Sequence, residues 1–195
     1  MIDFKKFDFH EVVKLPKSYE IYDFTKGYDE NRLLAMPYGI GKYNEKRVNM
    51  YSGPLYKDQR DIHIGIDIGA PIGTPIHAFY DGEVFLFAHN SMPLDYGYTL
   101  ITKHTLDGVD IFALHGHLSK ESIANKAISQ RIKKGEVIAW IGDRDENGGW
   151  NPHLHFQLSY QEPEVCDMPG VVNSKKLEEA LKIYPDPQLV LGKLY

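Results

Sequence analysis

The stretch Asp61-Ile62-His63-Ile64-Gly65-Ile66-Asp67-Ile68-Gly69 alternates isoleucine with a polar or small residue at every step. Successive side chains of a strand project to opposite faces, so a strand here sets the isoleucines on one side and His63, Gly65, Asp67 and Gly69 on the other. A helix would place glycines and β-branched residues in its interior, where both are unfavourable. The pattern therefore commits this part of the chain to β-structure. It also puts an imidazole and a carboxylate on one face, with glycines between them that let a ligand or ion approach the backbone.

Two other segments extend the pattern. In Pro152-His153-Leu154-His155-Phe156-Gln157-Leu158, His153, His155 and Gln157 face one way and Leu154, Phe156 and Leu158 the other. In Asp110 to Ser119, alternation brings His115 and His117 to one side of a strand end. Five of the chain's nine histidines fall in these three pieces, more clustering than generic surface use would give. His10, His77, His89 and His104 sit in no matching context, and Cys166 has no partner motif and reads as a packing residue.

From about residue 62 to residue 160, short β-branched and aromatic runs are punctuated by Gly, Pro, Asn and Asp, which predicts an all-β unit. The predicted strands are 62–68, 75–78, 82–88, 98–104, 110–117, 137–141 and 153–160. Helix is predicted at 119–127, and at 174–183, where Leu177, Ala180 and Leu181 fall at helical spacing before Pro185. Residues 1–61, rich in Tyr, Phe, Lys and Asp, show turn signals but no helical period. They read as an extended wrap packed on the β unit and bordering its groove. At 195 residues one core is expected, with 1–61 as an N-terminal extension, 62–160 as the β domain and 161–195 as a C-terminal extension of the same domain.

Composition narrows the partners. With 22 basic and 27 acidic side chains the net charge is -5, which disfavours a nucleic-acid surface, and the apolar runs are too short to span a membrane. Oligomeric state is not encoded in any feature of the sequence. A single cysteine allows no internal disulfide, and the charged start lacks the apolar run of a secretory signal. A cytoplasmic location is the resulting expectation.

Zinc accounts for the His and Asp cluster. A catalytic zinc site takes three nitrogen or oxygen ligands and keeps one position open, and a His, an Asp and a His supply them. The metal makes a nucleophilic water available near neutral pH. Two further imidazoles can then act, one taking the proton of the attacking water and one hydrogen-bonding the developing oxyanion.

The residues quoted resemble the lysostaphin and LytM family of zinc metallopeptidases. His63-Ile64-Gly65-Ile66-Asp67 matches its His-x-x-x-Asp pair, and the sequel from Gly69 to Ile76, Asp81-Gly82-Glu83-Val84, His117-Leu118-Ser119 and His153-Leu154-His155 match its other signatures over roughly residues 62 to 158. The resemblance implies a barrel-sandwich hybrid of antiparallel β-sheet (duplicated hybrid motif) with a groove across one sheet. It implies one Zn2+ per chain on His63, Asp67 and His155, with His117 and His153 as catalytic imidazoles. The implied activity is metallo-endopeptidase cleavage of a peptide or muropeptide-like substrate. Rival readings are a hydrolase of a small cytosolic peptide or amide, and a non-catalytic zinc-binding regulatory module.

Two departures bear on the substrate. His115 stands where the family usually has Tyr, and the loop Gly142 to Asn151 is longer and more acidic than the family's usual approach to the last motif. His115, Asn147, Trp150 and Asn151 are therefore the candidate substrate contacts. That loop, Gly39 to Tyr43 and Pro185 to Gly192 resemble a branch whose peptidase-like domain is fused beside a phosphotransferase and an aminotransferase. In some relatives an Asn of an N-terminal segment fills the open zinc position, which makes Asn44 and Asn49 candidates for occlusion.

Overall fold

A computed structural model describes residues 2–51, 56 and 60–195. Its centre is a meander of long strands, β7 (Gly82–Asn90), β8 (Gly97–Leu106) and β9 (Val109–Leu118). Asp107 and Gly108 join the last two with φ of 50° and 75°, the left-handed pair that a two-residue hairpin turn needs. β12 (His153–Ser159) lies antiparallel to β9 on one side and to β5 (Ile66–Gly69) on the other. The eight-stranded sheet runs β1-β2-β5-β12-β9-β8-β7-β10, with β1 at Glu20–Ile21, β2 at Gly39–Gly41 and β10 at Arg131–Ile132. It is open, with β1 and β10 at its edges, so the expected mainly β fold is built from sheets that do not close.

Two small sheets complete it: β6 (Pro75–His77) with β11 (Val137–Trp140), and β3 (Glu45–Lys46) with β4 (Ile62–His63) and β13 (Val171–Val172). The α-helices among the described residues are short: α1 (Glu30–Ala35), α2 (Glu121–Ala124), α3 (Leu177–Ile183) and α4 (Gln188–Leu191). Among the described residues no helix is long and apolar enough to cross a membrane.

Residues 62–68 do not form one strand. The ladder breaks at Ile64-Gly65, where the Ile64 N–H bonds Gly170 O at 2.9 Å. β4 then pairs with β3 and β13 while β5 pairs with β2 and β12. The isoleucines divide accordingly. Ile62 and Ile64 pack with Val172 and Ala180 in a small cluster, and Ile66 and Ile68 join Leu154, Phe156 and Leu158 in the main core.

Both chain ends serve this core. Ile2, Val12 and Val13 from one end and Val190 from the other are buried in it. The N-terminal segment continues the main sheet through β2, where Gly39 is required because a Cβ there would lie 2.2 Å from the Tyr22 ring. β3 extends β4 in the same way, which brings Arg47 beside the polar ends of β4 and β5.

Candidate metal centre

β4, β5 and β12 bring three side chains to one point. His63 Nε2 lies 3.1 Å from His155 Nδ1 and 3.2 Å from Asp67 Oδ1, and His155 Nδ1 lies 3.0 Å from the same oxygen. All three residues are buried. Ligand bonds of about 2.0–2.1 Å to a tetrahedral ion would separate donor atoms by about 3.3 Å, so the triangle fits a zinc-sized cation. The approach depends on Gly65, since a Cβ there would lie 2.5 Å from His155 Cε1.

Neighbours set which ring nitrogens are bare. Gln157 Oε1, 3.0 Å from His155 Nε2, accepts its N–H and leaves Nδ1 as the donor atom for a metal. The carbonyl of Lys42, 3.0 Å from His63 Nδ1, accepts in the tautomer that leaves Nε2 bare. In those tautomers two bare nitrogens and a carboxylate oxygen stand at a spacing that a cation among them stabilises.

The sequence reading missed Arg47, a fully buried guanidinium that bonds Asp67 Oδ2 at 2.6 Å, on the oxygen turned away from the two imidazoles. Its Nη2 also lies 2.9 Å from His63 Nδ1, where it can donate only in the tautomer that protonates Nε2. Lys42 and Arg47 thus favour opposite tautomers of one ligand. Burial alone would raise the Asp67 carboxyl, but His63 and Arg47 outweigh it and hold the group well below the usual carboxylate range. Burial, reinforced by Arg47, pulls His63 down to about 4.

Beside this centre His117 and His153 stand with ring centroids 4.3 Å apart. His117 Nδ1 donates to Asn147 O at 2.8 Å and His153 Nδ1 to Asn151 O at 2.7 Å, which leaves both Nε2 atoms bare. His153 Nε2 is 3.8 Å from Asp67 Oδ1. Burial keeps both rings below the ordinary histidine pKa, so both are neutral proton acceptors at pH 7.

Strand parity fails at His115. Between the pairs Leu100↔His115 and Tyr98↔Leu118, β9 carries two residues, Gly116 and His117, opposite the single Thr99 of β8. This bulge, with His117 at φ 65°, turns the His117 ring onto the face of His155 and leaves His115 on the opposite face, opposite Phe156. His115 is fully buried, its ring 5.3 Å from that of Phe156. It lines the core and is not a substrate contact.

Asn147 likewise lies behind the cleft wall and is not a substrate contact. It is fully buried, its amide spent on Trp150 O and on the N–H groups of Gly149 and Trp150, so it shapes the loop from within. Trp150 and Asn151 do border open space. Asn44 and Asn49 are exposed and line neither cavity beside the centre, so the N-terminal segment places Arg47, not an asparagine, at the site. Tyr96, also missed, closes the far wall, its hydroxyl bonded to Met168 O at 2.9 Å and 3.5 Å from His155 Nε2. The glycine after it, together with Gly116 packed on its ring, was the available signal. The cleft in front of the centre spans about 690 Å³ counting the open space at its mouth, with Tyr51, Tyr56 and Arg60 on its rim.

Residues 61–166 match the model of peptidase family M23. The DD-carboxypeptidase/endopeptidase Mpg of Neisseria meningitidis is 34% identical over 121 residues, covering 62% of this chain and 25% of that protein. The peptidoglycan DD-endopeptidase ShyC of Vibrio cholerae is 28% identical over 163 residues, covering 73% and 33%. The chain thus spans a quarter to a third of the length of these relatives. Lysostaphin from Staphylococcus simulans shares the fold at a TM-score of 0.50 with 22% identity, over 81% of this chain and 53% of that one.

Proposed function

The chain belongs to peptidase family M23, and on that premise we propose that it is a zinc-dependent endopeptidase acting on a peptidoglycan-type peptide. The observation that carries the reading is the convergence of His63 Nε2, Asp67 Oδ1 and His155 Nδ1 within 3.2 Å of one another, beside two neutral imidazoles with bare Nε2 atoms. His63, Asp67 and His155 would hold one zinc ion. When bound, the ion supplies Lewis acidity toward the scissile carbonyl and a nucleophile at neutral pH. The names of the relatives in Neisseria and Vibrio support the substrate class.

The chain's own groups supply the proton chemistry. With Nδ1–H fixed on a carbonyl, each of His117 and His153 begins as an acceptor at Nε2. Whichever takes the proton of the attacking water becomes a donor, able to hydrogen-bond the developing oxyanion or protonate the leaving amine. Walls of Tyr96 and Trp150 restrict water around these atoms. The convergence of all five side chains favours catalysis over a regulatory metal-binding module.

The test is incubation of the zinc-loaded chain with purified muropeptides and a pool of short peptides, read by mass spectrometry. Cleavage that a chelator stops and zinc restores is expected. A chain that holds one zinc ion and cleaves nothing in either pool contradicts the proposal.

A further inference from the structure

Three charged side chains of the cleft, Arg60, Asp95 and Asp167, take no part in the metal centre. Two bonds gather them on one wall. The Tyr56 hydroxyl donates to Leu94 O at 2.6 Å, and the Arg60 guanidinium lies 5.6 Å from the centre of the Tyr56 ring, which sets Arg60 beside the β7–β8 loop that carries Asp95. The Tyr96 hydroxyl donates to Met168 O at 2.9 Å, tying the residue after Asp95 to the residue after Asp167. Leu94 is held at φ 66°, a left-handed conformation uncommon for a residue other than glycine, and its N–H bonds Gly148 O at 2.9 Å. The loop is therefore strained where it presents Asp95.

The charges on this wall do not satisfy one another. Arg60 Nε is closed off without an acceptor among the described residues, while the two Nη atoms, equally without a partner there, remain open to the cleft. The Asp95 carboxylate accepts from the Tyr96 N–H at 2.7 Å, and Asp167 is exposed at the cleft. Burial raises both carboxyls and the charge of Asp95 raises Asp167 further, whereas Arg60 acts on both through space and bonds neither. Two acids and a guanidinium held apart in this way lack partners of both signs, a cation for the acids and a carboxylate for the arginine. A ligand with an ammonium and a carboxylate on one carbon brings both.

We propose that Arg60, Asp95 and Asp167 form a subsite for the free α-amino-acid end of a substrate side chain, its carboxylate on the Arg60 Nη atoms and its ammonium between the two acids. The assignment rests on the peptidase reading for the word substrate and agrees with it, since a diamino acid in a peptidoglycan-type peptide can leave one such end free. The subsite can also be tested without turnover. The probes are the N-acetyl α-amides of 2,6-diaminopimelate, lysine and 2-aminopimelate, whose side chains end in both groups, in the ammonium alone and in the carboxylate alone. Each is titrated into the zinc-loaded full chain and followed by calorimetry.

The diaminopimelate amide is expected to bind about tenfold more tightly than either of the others, the usual worth of one hydrogen bond to a charged group. Arg60→Gln should erase its advantage over the lysine amide. Asp95→Asn and, independently, Asp167→Asn should each cut its advantage over the 2-aminopimelate amide about threefold, as suits partly exposed ion pairs, with zinc content unchanged. Peptides with the free end should be cleaved about tenfold faster, by kcat/KM, than the same peptides with that end acetylated and amidated. Equal binding of the three amides, cleavage indifferent to the blocked end, or a preference that survives all three substitutions and so marks chelation of the metal by the probe, overturns the subsite while leaving the peptidase intact. Selective binding that the substitutions abolish, with no cleavage of any peptide, keeps the subsite and removes the peptidase.

Discussion

Arg47 is the residue on which the electrostatics of the site turn. It is buried with Asp67 on one side and Glu45 on the other, its Nε 3.5 Å from Glu45 Oε2. Removing one member of such a set leaves buried charge uncompensated, at a cost of roughly 3–5 kcal/mol. Arg47→Ala should therefore lower unfolding stability by about that amount, measured by urea denaturation of the metal-free chain. Arg47→Lys restores a charge but not the guanidinium bond to Asp67 Oδ2 that orients this carboxylate from behind. It should hold zinc about 10- to 100-fold more weakly in competition with a chelator, the range typical of lost partners behind a metal ligand. Zinc affinity unchanged in both variants would show that Arg47 only fills space. Nothing in the charged run Glu45-Lys46-Arg47 marks this role, because it depends on β3 pairing with β4, a contact the local pattern does not encode.

At the scale of elements, the end of β9 decides which histidine meets the cleft. Alternation is sufficient to place His153 and His155 on one face of β12, and the register His155↔Asp67 then brings two strands' polar groups together. It misleads at β9 because the bulge at Gly116-His117 adds one residue and reverses the faces beyond it. Gly116 was the visible sign, since an interior glycine in a strand often marks a bulge. His117→Ala should keep zinc and lose about 10²- to 10⁴-fold in turnover, the usual worth of a lost acid or base partner. His115→Phe, buried against Phe156 away from the cleft, should retain most turnover. Loss of turnover in His115→Phe with the fold intact would contradict the placement of this bulge.

The whole molecule carries a pH liability in the same core. His104 and His115 are 1% and 0% exposed, and burial lowers their pKa values from 6.5 to about 4 and about 3. The unfolded chain binds more protons than the folded one once pH falls below 6.5, so stability present above that value is lost as pH drops toward 4. The slope should reach about 1.4 kcal/mol per pH unit for each group, and His115→Phe should make it shallower. Denaturation midpoints in the metal-free chain that do not change between pH 7 and 5 would contradict this. The β domain and its metal face were readable because they rest on local alternation. The joining of chain ends to one core was not, since β2, β3 and β13 are two- or three-residue strands defined only by their partners. The central claim is that three strands converge on one zinc ion, and zinc X-ray absorption of the purified chain measures it directly. The account predicts one zinc per chain with two imidazoles and a carboxylate among its ligands, reduced to one imidazole in His155→Ala. An unchanged ligand set in that variant, or a wild-type chain that holds no zinc when supplied with it, would contradict the account.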